Sequence, residues 1–490
     1  MNRKEYTESV LENMTEDLAD LIAIDSSWDP DTADEAGGAP FGRGPKEAIE
    51  SVIRLAESMG MKTKNYNGYA AEITVGSGEK MVGILAHIDV VEAGPGWETP
   101  PFQAVTKDGR IYGRGSLDDK GPVVSSLYAM KYIVDNGLLP DEWSIRLIVG
   151  ADEEEGLRCI DYYNEHAERM PDVSFVPDGY FPMVNCEKGL VDFDLEYALG
   201  CAREAADDGS DSCAPEAFIT YLKAGLGRNM VPAEAVCEIK VMSEARGEAA
   251  EGLRASVSRT ELDAGLQDKE ALYLEETEDG FRLRAAGVSV HAMSPEKGLN
   301  AFDLLVKALH GSGIAFDDNG FLSAYMATAG AGYDGEGVGC CVSDEISGPL
   351  TLNVGTVELR NGVVYMQGNT RYPATLEKEA VTDKMYAAFR DAGFKCEEQL
   401  YLPPLYVERE APLVAKLMEA YREITGDTEN DMFSIGGATY ARSIPNAISF
   451  GPLFPGEVEL AHEANEFLYI ESLRKMTEIY ILAIEKLVRE

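Results

Sequence analysis

Four short stretches of the chain are apolar almost without a break: MVGILAH (81–87), SIRLIVG (144–150), VSFVP (173–177) and AISFG (447–451). Runs of this kind predict strands buried on both faces, as in a parallel sheet. Helical spacing surrounds them. Leu11, Met14, Leu18 and Leu21 share one face of a helix predicted over 5–24. A second helix is predicted over 45–59 and ends at Gly60, which suits a left-handed cap. Further helices are expected over 121–136, 157–169 and 470–488, the last with Leu473, Met476, Tyr480, Ala483 and Leu487 on one stripe. Strands alternating with helices predict an α/β domain with a mainly parallel sheet.

The middle of the chain has another pattern. Residues 200–217 are polar and loop-like, and 243–280 is charged, expected as helix plus connecting loop. The stretch 351–373 predicts a hairpin turning at Asn361-Gly362. Phe302, Leu305, Val306 and Leu309 align on a helix over 301–310. AGAGYDGEGVG (329–339) is a Gly-rich loop and not a nucleotide fingerprint, because no strand-to-helix GxGxxG is present. The expected layout is a discontinuous α/β domain over 1–190 and 400–490, with an inserted α+β domain over 191–399.

Composition narrows the function. At 490 residues the chain has room for two cores. A formal net charge of −43 excludes nucleic acid and anionic membrane surfaces as natural partners. The eight cysteines contain no CxxC, and the N-terminus lacks a signal-peptide core, so reduced thiols in a cytoplasmic protein are expected. No apolar run reaches membrane-helix length. With 86 acidic residues, any single Asp or Glu is by default solvated surface.

Position makes some of them more than that. His87 ends the first apolar run, and His462 lies just beyond the fourth. Asp152, Glu153, Glu154 and Glu155 follow the second, Asp178 follows the third, and Asp118 and Asp119 precede a helix. Sites in open α/β sheets form beyond the carboxyl ends of the strands. A mixed His, Asp and Glu set there suits Zn²⁺, Mn²⁺ or Co²⁺. In HID, Asp89 could orient the His87 ring or merely cap the next loop.

Eight ordered motifs then carry a resemblance: GILAHIDVVEAGPGW (83–97), IYGRGSLDDKGP (111–122), GADEEEGLRCIDYY (150–163), FVPDGYFP (175–182), VHAMSPEKGLNA (290–301), GNTRYP (368–373), SIGGATYAR (434–442) and AHEANEF (461–467). Through nearly its whole length the chain resembles the M20 metallopeptidases, in particular their PepV-like dipeptidase branch. The resemblance implies a peptidase domain with two divalent ions, Zn²⁺ foremost, and an inserted lid domain. It implies His87 and Asp178 on one ion, Glu154 and His462 on the other, and Asp118 bridging, with the Asp118–Asp119 peptide cis. Glu153 becomes the general base and Asp89 the partner of His87. His291 becomes the oxyanion-stabilising residue. Asn229 and Arg371 hold the substrate's carbonyl and carboxylate, and Gly436 and Gly437 belong to a backbone cradle for that carboxylate.

Glu92, Met293 and Ala438 depart from the usual motifs, which bears on substrate preference and not on the ligands. The expected activity is hydrolysis of small dipeptides by a monomer. N-acyl-amino-acid deacylation is the alternative within the family. A non-catalytic metal-binding protein would lack a ligand or Glu153, and none is missing.

Overall fold

The computed structural model describes residues 1–200, 215–266 and 271–489. Most of the predicted 200–217 loop lies outside these residues. The chain forms two compact units: Met1–Cys186 with Leu405–Ser434 and Ala438–Glu490, and Glu187–Pro404 with Ile435–Gly437.

In the first unit the four apolar runs become the strands Lys80–His87, Trp143–Gly150, Val173–Val176 and Ala447–Ser449. They lie side by side and parallel, in the order 143–150, 80–87, 173–176, 447–449. The Lys80–His87 strand is buried from Met81 to His87, as its unbroken apolar sequence requires. Antiparallel strands flank this centre. Lys62–Tyr66 and Ala70–Gly76 extend one edge, and Val184–Glu187 pairs with the other side through Ser449. The sheet is therefore mixed, parallel in its middle. The two strands at the Lys62 edge escaped the sequence reading because KTKNY and AAEITVG mix polar with apolar residues.

Helices Arg3–Ile22, Lys120–Asp135, Pro412–Thr425 and Ile470–Leu487 pack together beside the sheet. Met14, Leu18 and Leu21 of the first and Leu473, Met476, Tyr480, Ala483 and Leu487 of the last are buried, as their spacing demands. A small antiparallel sheet pairs Phe467–Tyr469 with Arg110–Tyr112. It ties the segment carrying His462 to the one leading into Asp118. No helix among the described residues is long and apolar enough to cross a membrane.

The second unit is an antiparallel sheet of eight strands, in the order 272–276, 280–286, 234–241, 217–224, 351–360, 363–372, 189–198, 395–402. The hairpin turns at Asn361 and Gly362, both with positive φ, as the Asn-Gly pair predicts. Residues 243–280 correct the sequence reading. Helix Arg246–Asp263 is followed by strands Leu272–Glu276 and Gly280–Ala286 and not by a connecting loop. Both strands carry charged residues, Glu275 and Glu276 in the first and Arg282 and Arg284 in the second, which hides them in a charged region.

The boundaries also differ from 191–399. Strand Gly189–Ala198 pairs on both sides within the second sheet, which draws the start back to Glu187. Ile435–Gly437 groups with the second unit although it lies within the 400–490 segment. There the Ile435 carbonyl accepts from Lys188 N at 3.2 Å and the Gly436 carbonyl from Arg371 Nη1.

Candidate metal centre

The parallel strands of the first unit deliver their chemistry at their carboxyl ends. His87 is the last residue of its strand and fully buried. Its backbone N–H donates to Asp119 Oδ2 at 3.1 Å. The ring is held from both sides: Nε2 lies 2.9 Å from Asp118 Oδ1, and Nδ1 lies 3.1 Å from the Asp89 carbonyl and 3.5 Å from Asp89 Oδ1. Asp89 thus faces His87 more closely through its backbone than through its carboxylate. That carboxylate has a second task, accepting the Glu154 backbone N–H at 3.0 Å.

Donor atoms of His87, Asp118 and Glu154 lie within 4.8 Å of one another, and so do those of His87, Glu153 and Asp178. His462 completes the first group, with Nε2 3.1 Å from Asp118 Oδ2 and 3.0 Å from Glu154 Oε2. All five expected ligands and Glu153 are therefore brought together. His462 itself adopts a left-handed φ of 67° and leaves its side chain half exposed. The Asp118–Asp119 peptide is cis. The Glu153 carboxylate, like that of Asp178, makes no hydrogen bond among the described residues.

Electrostatics tests whether cations fit. Four carboxylates, Asp118, Glu153, Glu154 and Asp178, face two imidazoles. Burial and the charge of Asp118 push Asp178 up to about 7. Burial and the charge of Asp178 push Glu153 well above the ordinary carboxylate range, and burial with Asp118 raises Glu154. Burial alone would lower His87, but hydrogen bonds to Asp118 and Asp89 lift it well above its usual value. His462 is lifted in the same way by Asp118 and Glu154, against the effect of burial. The cluster thus draws protons onto groups that would otherwise be anionic or neutral. A surplus of buried negative charge, built from two nitrogen and several oxygen donors, fits divalent cations of borderline softness.

Two supports carry no assignment in the sequence reading. Glu466 is fully buried and pairs with the buried Arg114 at 2.7 Å. It also accepts the backbone N–H groups of Gly115 at 3.0 Å, Leu117 at 2.9 Å and Asp118 at 3.2 Å. Arg114 Nη2 reaches the His462 carbonyl at 3.2 Å. Asp152, also buried, accepts from Arg158 N, Nε and Nη2 at 3.1, 2.7 and 2.6 Å. It closes the turn that presents Glu153 and Glu154. Both acids lie inside the quoted motifs, but in a chain this acidic nothing local separates a buried carboxylate from a solvated one.

The second unit gathers the remaining residues among themselves. The Asn229 carbonyl accepts from Ala292 N at 2.7 Å, and Met230 bridges to His291. Met293 N donates to His291 Nδ1 at 3.2 Å, which puts the proton of the neutral ring on Nε2. Arg371 is buried opposite Thr351 in the hairpin, with Nε donating to Asn369 Oδ1 at 2.9 Å and Nη1 to the Gly436 carbonyl. A Cβ on Gly436 would stand 2.9 Å from Met293 Cβ, so this contact requires glycine.

The chain matches Peptidase family M20/M25/M40 over residues 83–486. It is 36% identical over 485 residues to a putative dipeptidase, YtjP, of Bacillus subtilis, with 98% of each chain covered. Its fold resembles human carnosine dipeptidase 1, with a TM-score of 0.57 at 15% identity over 99% of this chain and 98% of that one. It also resembles the aminoacylhistidine dipeptidase of Vibrio alginolyticus, with a TM-score of 0.58 at 14% identity over 97% and 96%. The chain belongs to peptidase family M20/M25/M40, and it is a hydrolase acting on peptide bonds.

Proposed function

We infer that the protein is a dipeptidase of the PepV-like branch, using two divalent ions to hydrolyse small dipeptides with a free C-terminal carboxylate. The observation that carries this reading is the convergence of His87, Asp118, Glu154, Asp178 and His462, with the unbonded carboxylate of Glu153 beside them. Similarity over almost the full chain to a relative named as a putative dipeptidase supports the substrate class.

His87 and Asp178 would hold one ion, Glu154 and His462 the other, and Asp118 both, with Zn²⁺ the first choice and Mn²⁺ or Co²⁺ able to replace it. Bound there, the ions supply Lewis acidity and lower the pKa of water. Glu153 takes the proton of the attacking water and passes it to the leaving amine. Asp89 keeps the His87 ring in orientation. In the second unit, the Nε2–H of His291 suits an oxyanion donor. Asn229 takes the role of carbonyl ligand. Arg371, with its planar fork of donors, reads the terminal carboxylate, assisted by the backbone at Gly436 and Gly437. The reading includes a monomer working in the cytoplasm.

The test is a substrate panel. The purified protein is stripped with chelator, reloaded separately with Zn²⁺, Mn²⁺ or Co²⁺, and offered dipeptides and N-acyl amino acids. Metal-restored turnover of dipeptides is expected. Turnover of N-acyl amino acids alone would replace this reading with a deacylase.

A further inference from the structure

A dipeptidase must separate its substrates from N-acyl amino acids, which share the scissile amide and the carboxylate and lack only the α-ammonium. That ammonium sits one carbon from the attacked carbonyl. It would approach the cations such a centre holds, which repel it, and a nearby carboxylate outside the ligand set would offset that repulsion. Among the described residues of the first unit, Glu459 is a candidate.

Glu459 lies three residues before His462 and is exposed. Tyr180 lies two residues after Asp178, and its hydroxyl donates to Glu459 Oε1 at 2.6 Å. The backbone brings the two segments close. Tyr180 bridges to Leu453, Gly451 N donates to the Tyr180 carbonyl at 3.1 Å, and Phe181 N donates to the Leu453 carbonyl at 2.8 Å. The Ser449 hydroxyl meanwhile donates to the Asp178 carbonyl at 2.9 Å. The segment leaving Asp178 is thus laced to the segment approaching His462, and the Tyr180–Glu459 hydrogen bond adds a side-chain link between them. Phe433 stacks edge-on against the Tyr180 ring, with centroids 5.8 Å apart, which limits the ring's swing. Among the described residues the second oxygen of Glu459 has no partner.

We propose that Glu459 binds the α-ammonium of the dipeptide, with Tyr180 as the residue that positions it. This deepens the dipeptidase reading and rests on it. A carboxylate held by Tyr180, between the segments that carry Asp178 and His462, attracts an ammonium and offers nothing to an acyl chain. The Tyr180 hydroxyl occupies one oxygen and leaves the other to the substrate.

The test compares a dipeptide with its des-amino analogue, an N-acyl amino acid of the same length, in the metal-loaded wild type and in Glu459→Gln, Glu459→Asp and Tyr180→Phe. The readout is the ratio of kcat/KM for the two substrates. In Glu459→Gln the ratio should fall about 30-fold, equivalent to about 2 kcal/mol, mainly through KM for the dipeptide. Glu459→Asp should restore part of it, which a merely structural role would not predict. Tyr180→Phe should give an intermediate fall. Metal content and thermal midpoint, measured on each variant, show that the centre is intact. A ratio in Glu459→Gln equal to the wild-type ratio overturns the proposal while leaving the dipeptidase reading standing. A wild type that turns over the acyl compound and no dipeptide overturns both.

Discussion

Replacing Glu466 with Gln removes one charge and almost no volume from the base of the metal centre. The wild-type carboxylate takes four donors: Arg114 Nη1 at 2.7 Å and the N–H groups of Gly115, Leu117 and Asp118 at 2.9 to 3.2 Å. A glutamine can keep its oxygen on Leu117 and Asp118. Its amide NH₂ must then face Arg114 and Gly115 N, donor against donor. The Arg114 guanidinium, 1% exposed, is left without its counter-charge. Breaking one side of a buried pair costs about 3–5 kcal/mol, a large share of the ~5–15 kcal/mol that holds a typical protein folded. The damage reaches the metal because Asp118 hangs from this carboxylate and His462 from Arg114. Loss of such outer partners lowers metal affinity by about 10–100-fold. Urea titration of metal-free protein measures the first effect, with Trp97 as a local probe since Arg114 lies 5.3 Å from its ring centroid. Competition with a chelator of known affinity measures the second. Arg114→Met combined with Glu466→Gln should be less destabilised than the sum of the single variants, giving a coupling of about 2–3 kcal/mol. A single variant that loses under about 1 kcal/mol and binds metal as tightly as wild type would refute the argument.

Three further outcomes are expected. Glu153→Gln should lower kcat by about 10²–10⁴-fold while elemental analysis still finds two ions per chain; loss of metal in step with activity would make Glu153 a ligand instead. Arg371→Ala should cost about 2–5 kcal/mol in kcat/KM for a dipeptide and much less for the dipeptide amide, whereas equal losses on both would show that Arg371 does not read the carboxylate. Asp303, partly buried and hydrogen-bonded by Tyr325 at 2.7 Å, is pushed up to about 6 by burial, against the hydrogen bond and Lys307. A carboxyl raised in the folded state costs nothing while protonated in both states, and its cost grows as pH climbs from about 4 through 6. The stability gap between Asp303→Asn and wild type should therefore widen over that window in favour of the variant, by about 1–2 kcal/mol after allowance for partial exposure; a gap that ignores pH in urea titrations would contradict it.

What the linear chain determined by itself is what repeats or stands in order. The four parallel strands were legible because burial on both faces leaves no room for polar residues, so MVGILAH and its three counterparts read as unbroken apolar runs. The hairpin at Asn361-Gly362 was legible because that turn needs two positive φ values. The candidate ligands were legible because most of them follow strand ends, Asp118 precedes a helix, and all sit in ordered motifs. Tertiary structure decided the rest. The edge strand Lys62–Tyr66 and the strands Leu272–Glu276 and Gly280–Ala286 carry charged residues, and only pairing with neighbours makes them strands. Nothing local distinguishes Glu466 or Asp152 from dozens of solvated acids. Their roles exist because other segments close over them, removing water and leaving Arg114, Arg158 and backbone N–H groups as their partners among the described residues. Glu459 and Tyr180 are 279 positions apart in the chain and meet only where the Asp178 and His462 segments are laced together. A carboxylate's function is set by what replaces its water, and that is a property of the fold.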